Sequence, residues 1–152
     1  VTFEKTTYAP LPMKFEAGTQ NFASAATLKP AIDVANKLND NKLVENLDSI
    51  RDYLLDYFRK DERIRLYGVP RGTNEEKIPL FSFSVKGVHH EDLALILDKM
   101  GVAVRSGQMC AEPLMDRFGV TGMLRVSFAP YNTLEEAEYF VKCLNKAIDM
   151  LL

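Results

Sequence analysis

Tryptophan is absent from this chain, and cysteine and histidine occur only twice each in 152 residues. No apolar run approaches the roughly 18 residues that a membrane-spanning helix needs. Each shortage removes a class of protein. Cys110 and Cys143 are too few for the disulfide framework of a small secreted domain, so a reducing, cytoplasmic compartment is expected. Two distant cysteines and the adjacent His89 and His90 do not compose a zinc set. Charge of one sign is missing too. Nineteen Lys and Arg against twenty-one Asp and Glu leave a net charge of −2, which gives no electrostatic case for nucleic acid or an anionic membrane. There is no internal repeat and no low-complexity segment. The chain begins at Val1 rather than Met, which points to a processed chain or an excised fragment.

What remains is an ordinary globular composition, 47% hydrophobic and 26% charged, long enough for about one domain with a real core. Residues 1–21 contain Pro10, Pro12 and Gly18 and show no helical period, so they read as extended and looping. A helix is expected over 23–39, with Pro30 kinking it or marking its true first turn. Leu43, Leu47, Ile50, Leu54 and Phe58 recur at helical spacing and predict a second helix to about residue 62. Residues 64–67 predict a short strand, and Gly68, Pro70 and Gly72 a turn-rich loop. Leu80–Val85 alternates large apolar residues with serine, the period-2 pattern of a strand with Phe81, Phe83 and Val85 toward the core.

Further on, a helix is predicted over His90–Met100, stopped by Gly101, then a strand at Val102–Val104, a short helix at 112–118 and a strand at 123–128. Thr133 and Glu136 have capping-box spacing, with Asn132 as an alternative cap, and open a last helix with Leu134, Ala137, Val141, Leu144, Ile148 and Leu151 as its buried stripe. Cys143 falls beside that stripe and reads as packing. From residue 43 the order reads as an α+β layer: a mixed sheet of about four strands with helices on one face. Residues 1–40 do not obviously belong to it.

Most of the chemistry sits between residues 101 and 130. Cys110 lies in a loop between Gly107 and Pro113, with Arg105 before it and Arg125 in the following strand. A thiol held among fixed cations has the makings of a nucleophile, because positive charge favours the thiolate. Arg125 sits mid-strand with Leu124, Val126 and Phe128 pointing the other way. A fixed guanidinium there is suited to fork a carboxylate.

Three segments resemble the cysteine desulfurases, the NifS/SufS-like branch of the class V aminotransferases that use pyridoxal 5'-phosphate (PLP). They are Phe15-Glu16-Ala17-Gly18-Thr19-Gln20-Asn21, the loop from Val104 through Arg105, Cys110, Ala111, Glu112 and Pro113 to Met115, and Arg125-x-Ser127 with Ala129-Pro130-Tyr131-Asn132-Thr133. The likeness runs through the whole chain but covers only the last third of such an enzyme. It implies the small C-terminal domain of a fold-type I PLP enzyme over residues 41–152, preceded over 1–40 by a remnant of the large-domain edge and a linker helix.

The resemblance also assigns roles. Cys110 becomes the nucleophile that takes sulfur from L-cysteine as a persulfide and leaves alanine. Arg125 becomes the anchor for the substrate carboxylate. Arg105 has three readings: support of the cysteine loop, a second contact to that carboxylate, or a pair with an acid such as Glu112. Gly18 and Thr19 match the pair that reaches across a homodimer to the partner's PLP phosphate, the alternative being a turn and helix cap. The lysine that carries PLP lies upstream in the family and nothing here resembles its segment, so this chain alone is expected to be inactive and to bind no cofactor.

Gln108 departs from the pattern, since many relatives have histidine there, and glutamine cannot shuttle a proton. His89 and His90 are expected at the start of the following helix. A sulfur-acceptor protein of iron–sulfur cluster assembly is the implied partner, and the motif leaves open selenocysteine as a second substrate. The competing function is a free-standing carrier or adaptor domain whose Cys110 receives persulfide from a separate enzyme.

Overall fold

Alternation along one strand decides which way the sheet faces. In the computed structural model, which describes residues 2–39, 41–68 and 77–152 (side chain of position 41 excepted), Phe81, Phe83 and Val85 are buried, while Ser82 and Ser84 stand half-buried on the opposite face. The elements are α1 (Phe22–Leu38), α2 (Asn41–Lys60), β1 (Ile64–Tyr67), β2 (Leu80–Val85), α3 (His90–Lys99), β3 (Arg105–Gly107), α4 (Glu112–Phe118), β4 (Met123–Ser127) and α5 (Leu134–Leu151), with a short 3-10 turn at Met13–Phe15. They divide into two compact units, Val1–Lys37 and Leu38–Leu152.

In the first unit α1 runs through Pro30, which is neither its first turn nor its end. Proline removes one amide donor from the helical ladder, so the carbonyl of Ala26 loses its usual partner. Its N-terminus is capped by Asn21, whose Oδ1 accepts from the Ser24 amide at 3.2 Å. Phe22, Leu28, Ile32 and Val34 are all exposed.

The second unit is a four-stranded sheet in the order β1-β2-β4-β3. Every neighbouring pair is antiparallel, so the sheet is not mixed as expected. The crossover through α3 does bring β3 parallel to β2. However, β4 inserts between them, so no parallel strands touch. One face is covered by α2, α3 and α5, which bury Ile50, Leu54, Leu55, Phe58, Leu93, Leu97, Phe140 and Leu144 against Phe81, Phe83, Leu124 and Val126. Phe58 lies 5.0 Å from Phe83 and 5.4 Å from Phe81 between ring centroids, within the range where aromatic pairs attract beyond their buried area. Cys143 belongs to this core and is 5% exposed.

The stripe of α5 is centred slightly away from the expected one. Ala137, Leu144 and Ile148 are buried as expected, and Phe140 and Ala147 join them, while Leu134, Val141 and Leu151 lie at its margin. The third strand also moved: Val102 and Val104 pack against the core as irregular chain, and the ladder begins at Arg105. Burial by packing and pairing in a ladder are separate events, and an apolar doublet announces only the first. Pro70 and Gly72, expected in a turn, lie outside the described residues. Gly68 is described and sits at φ +72.

Polar ties lock the helices to the strands. Asp61 accepts from Arg63 Nη2 at 2.7 Å, and Arg63 also donates to Asn145 on α5 at 2.6 Å and to Asp149 at 2.9 Å. Arg63 holds the Asp61 carboxyl below its ordinary pKa, whereas burial and the Asp61 charge push Tyr57 up to about 12. At the other end, the capping box of Thr133 and Glu136 forms as expected. Asn132 does not cap. It accepts from the Ala129 amide at 2.8 Å, donates to Glu136 at 2.8 Å and offers its carbonyl to Asn46 at 2.7 Å.

Candidate functional site

The sheet face away from α2, α3 and α5 carries the candidate chemistry. Because β4 alternates, Leu124 and Val126 enter the core and Arg125 necessarily emerges on this second face. Its direct partner on β3 is Arg105, and its direct partner on β2 is Ser82. Two guanidinium groups therefore occupy opposed positions of one antiparallel pair. Like charges so placed are destabilising. Among the described residues neither has a carboxylate within salt-bridge distance. The arrangement is an unneutralised cationic pair, which an anion would relieve.

Cys110 is exposed, and Arg105 Nη2 donates to its Sγ at 3.8 Å. Arg105 thus touches the cysteine, and Glu112 accepts from Gln108 at 3.4 Å. The thiol sits on a tight turn. Met109 and Cys110 have φ of +58° and +60°, and the Ala111 amide donates to the Gln108 carbonyl at 3.0 Å. Two positive φ values inside a four-residue turn with that hydrogen bond describe a type I′ turn, a conformation dominated by Gly, Asn and Asp. Methionine and cysteine occupy it at a cost of about 1–2 kcal/mol per residue.

The surroundings hold this strain. Upstream, Gly107 (φ +106°) pairs with Met123. Downstream, α4 starts at Glu112 and its Met115 is pinned in a small second core with Tyr67 and Met123. Phe118 packs on Tyr67 at 4.9 Å, the Tyr67 hydroxyl meets Ser84 at 2.9 Å, and Gly119 ends α4 in the left-handed conformation. The helices are thus not all on one face, since short α4 sits against the second face.

Residues 1–140 match the family described as Aminotransferase class-V. This chain belongs to that family. It is 40% identical over 99% of its length to a probable cysteine desulfurase of Vibrio cholerae, covering 36% of that protein, and 34% identical over its whole length to the cysteine desulfurase CsdA of Escherichia coli, again covering 36%. The crystal structure of Escherichia coli CsdA in an S-sulfonic acid form superposes with a TM-score of 0.81 at 33% identity, covering all of this chain and 37% of that one. The chain therefore spans little more than a third of its curated relatives. The expected α+β fold of a fold-type I PLP enzyme domain is borne out, and PLP is the cofactor of the family to which the chain belongs.

What this chain offers that cofactor is narrow. In the first unit Gly18 sits at φ +75° with open space where a Cβ would stand, and Thr19 is exposed. The cap of α1 is Asn21 rather than Thr19. A glycine approach and an uncommitted hydroxyl fit a phosphate.

Sequence reasoning overlooked one feature beside the turn. His90, 9% exposed, begins α3 as expected, with His89 capping the helix through the Glu91 amide at 3.4 Å, but it is also the only buried polar residue among those described. Its signal was Gly122, a glycine just before a strand, whose meaning depends on what lies above it.

Proposed function

We propose that this chain is the C-terminal third of a PLP-dependent cysteine desulfurase, with residues 1–40 a remnant of the large-domain edge and 41–152 the C-terminal domain. Arg125 binds the α-carboxylate of L-cysteine, and the opposed Arg105 holds the nucleophile while adding to the positive field. Cys110 attacks the substrate sulfur: a sulfur–sulfur bond forms, and the carbon–sulfur bond breaks with its electron pair left on carbon. That carbon takes a proton and leaves as alanine, so L-cysteine and a thiol become alanine and a persulfide. PLP, when bound, supplies the electron sink that makes the carbon–sulfur bond labile. Gly18 and Thr19 would meet its phosphate in a homodimer, and the exposed turn would hand the sulfur to an acceptor protein of iron–sulfur assembly.

One observation supports this reading above the others: the unneutralised pair of Arg105 and Arg125, with Arg105 touching an exposed cysteine. A persulfide carrier fed by another enzyme has no use for a carboxylate fork. The test uses the full-length protein with L-cysteine, following alanine release and the mass of the Cys110 peptide. Cys110→Ser is expected to form no persulfide and to lose desulfuration. Alanine production that survives this substitution rejects the reading.

A further inference from the structure

His90 is an oddity that the proposed reaction does not use. Its Nδ1 is sealed from solvent and has no hydrogen-bond partner among the described residues. Its ring stacks on His89 at 4.4 Å and 29° between planes. Below it lies Gly122, where a Cβ would come within 2.4 Å of Nε2, 2.8 Å of Cε1 and 2.9 Å of Cδ2. The imidazole therefore rests on bare backbone. A buried polar ring with an unsatisfied atom is costly, so the site tolerates it in exchange for something.

The location suggests what. Gly122 immediately precedes Met123, which pairs with Gly107 at the last rung of the β3–β4 ladder, and the cysteine turn begins one residue later at Gln108. His90 also lines a cleft of about 390 Å³ whose other walls are His89, Glu91, Gly107, Gln108 and Thr121. It thus rests on Gly122 beside the point where pairing stops, and faces across the cleft the residues where the strained turn starts.

We propose that His90 is a positioning residue for Cys110: its imidazole, seated on Gly122, sets the last rung of the β3–β4 ladder and so holds the turn that presents the thiol to Arg105. The neutral ring matters because the site offers a proton no partner. On its own helix the ring faces His89, whose charge opposes protonation, and the acids Glu91 and Asp92, which favour it. From β2 and the chain after it come Ser84, Val85 and Val88, from the approach to β4 Gly119 through Gly122, and from β3 and the turn Gly107 and Gln108, none of them charged. Burial prevails and moves His90 below its ordinary pKa. The role assigned to the cysteine gives this positioning its purpose, but the geometry can be tested without turnover.

The experiment measures the rate of Cys110 alkylation by iodoacetamide at pH 7.5, read on the Cys110 peptide by mass spectrometry, in this chain and in the full-length protein. His90→Ala removes the wedge and Gly122→Ala collides with it. Each is expected to slow alkylation at least threefold. The double variant H90A/G122A, in which the new methyl takes up vacated space, is expected to return to within twofold of the parent, a rescue that general destabilisation would not produce. An unchanged rate in Gly122→Ala, or a double variant as slow as the two single effects multiplied, overturns the proposal. Should Gly122→Ala not fold, amide hydrogen exchange decides on His90→Ala alone. Protection is expected to fall at residues 107–111 and to hold in β1, and unchanged protection at 107–111 refutes the role. Since alkylation needs no cofactor, a desulfurase reading that fails would leave these outcomes intact.

Discussion

The two faces of one sheet differ in almost every respect. Against α2, α3 and α5, the strands present Phe81, Phe83, Leu124 and Val126, buried at 5% exposure or less and touching one another's neighbours throughout. The other face sets Arg105 opposite Arg125 and hangs an exposed cysteine on a turn its residues dislike. The first face is consistent at every level, from residue pattern to packing. The second breaks local rules twice within about twenty residues, which is where chemistry rather than stability is expected. One face supplies the free energy that the other spends.

Substitutions on the two faces should therefore separate stability from function. The largest loss of stability is expected from Phe83→Ala, fully buried and within 5.0 Å of Phe58. Urea denaturation should show a loss of about 3–5 kcal/mol. A loss under 1 kcal/mol would mean that this face is less well packed than its rings suggest.

Arg125→Gln tests the opposite face and should show the opposite behaviour. In the full-length protein it should raise KM for L-cysteine roughly tenfold to a hundredfold, as expected for about 1.5–3 kcal/mol of charge-assisted hydrogen bonding. Its melting temperature should stay level or rise, because a like-charged neighbour is removed. Loss of stability with unchanged KM would assign this arginine to the scaffold.

Arg63→Ala acts between these extremes, at the tie joining α2, β1 and α5, and should cost about 1–2 kcal/mol. The sign of its pH dependence follows from Asp61, whose folded pKa lies below the ordinary 3.8. The unfolded chain binds the proton first, so the contribution is complete above pH 3.8 and disappears as pH falls through the depressed value. Comparing urea midpoints between pH 3 and pH 7 should give a flatter profile in the variant than in the parent. The smallest effect is expected from Met109→Gly, which relieves one left-handed residue and should stabilise by about 0.5–1 kcal/mol while loosening the turn. A destabilised variant would show that the Met109 side chain contributes more by packing than its backbone costs.

Much of the stable face was legible in the residues themselves. Period-2 alternation in Leu80–Val85, helical spacing in α2 and α5, and the Thr133–Glu136 box each report a local cause with a local effect. The failures in the sheet were matters of pairing. Val102 and Val104 looked like a strand because they are apolar, yet no ladder reaches them. The sheet looked mixed because a helix joins β2 to β3, yet β4 lies between. Cys110 and Arg125 could be singled out by type and motif. Nothing in their spacing said that Arg105 would face Arg125 across a ladder, that Arg105 would reach the thiol, or that His90 would rest on Gly122.

The residues alone determined which side chains enter the core, where α2 and α5 run, and that a lone exposed cysteine would lie among arginines, because hydrophobic period, capping and charge act over a few positions. Tertiary structure alone decided which strands became neighbours. From that choice follow the facing guanidinium groups, the left-handed turn under the thiol and the ring lodged on bare glycine, since contacts between distant segments depend on register, which no short stretch encodes.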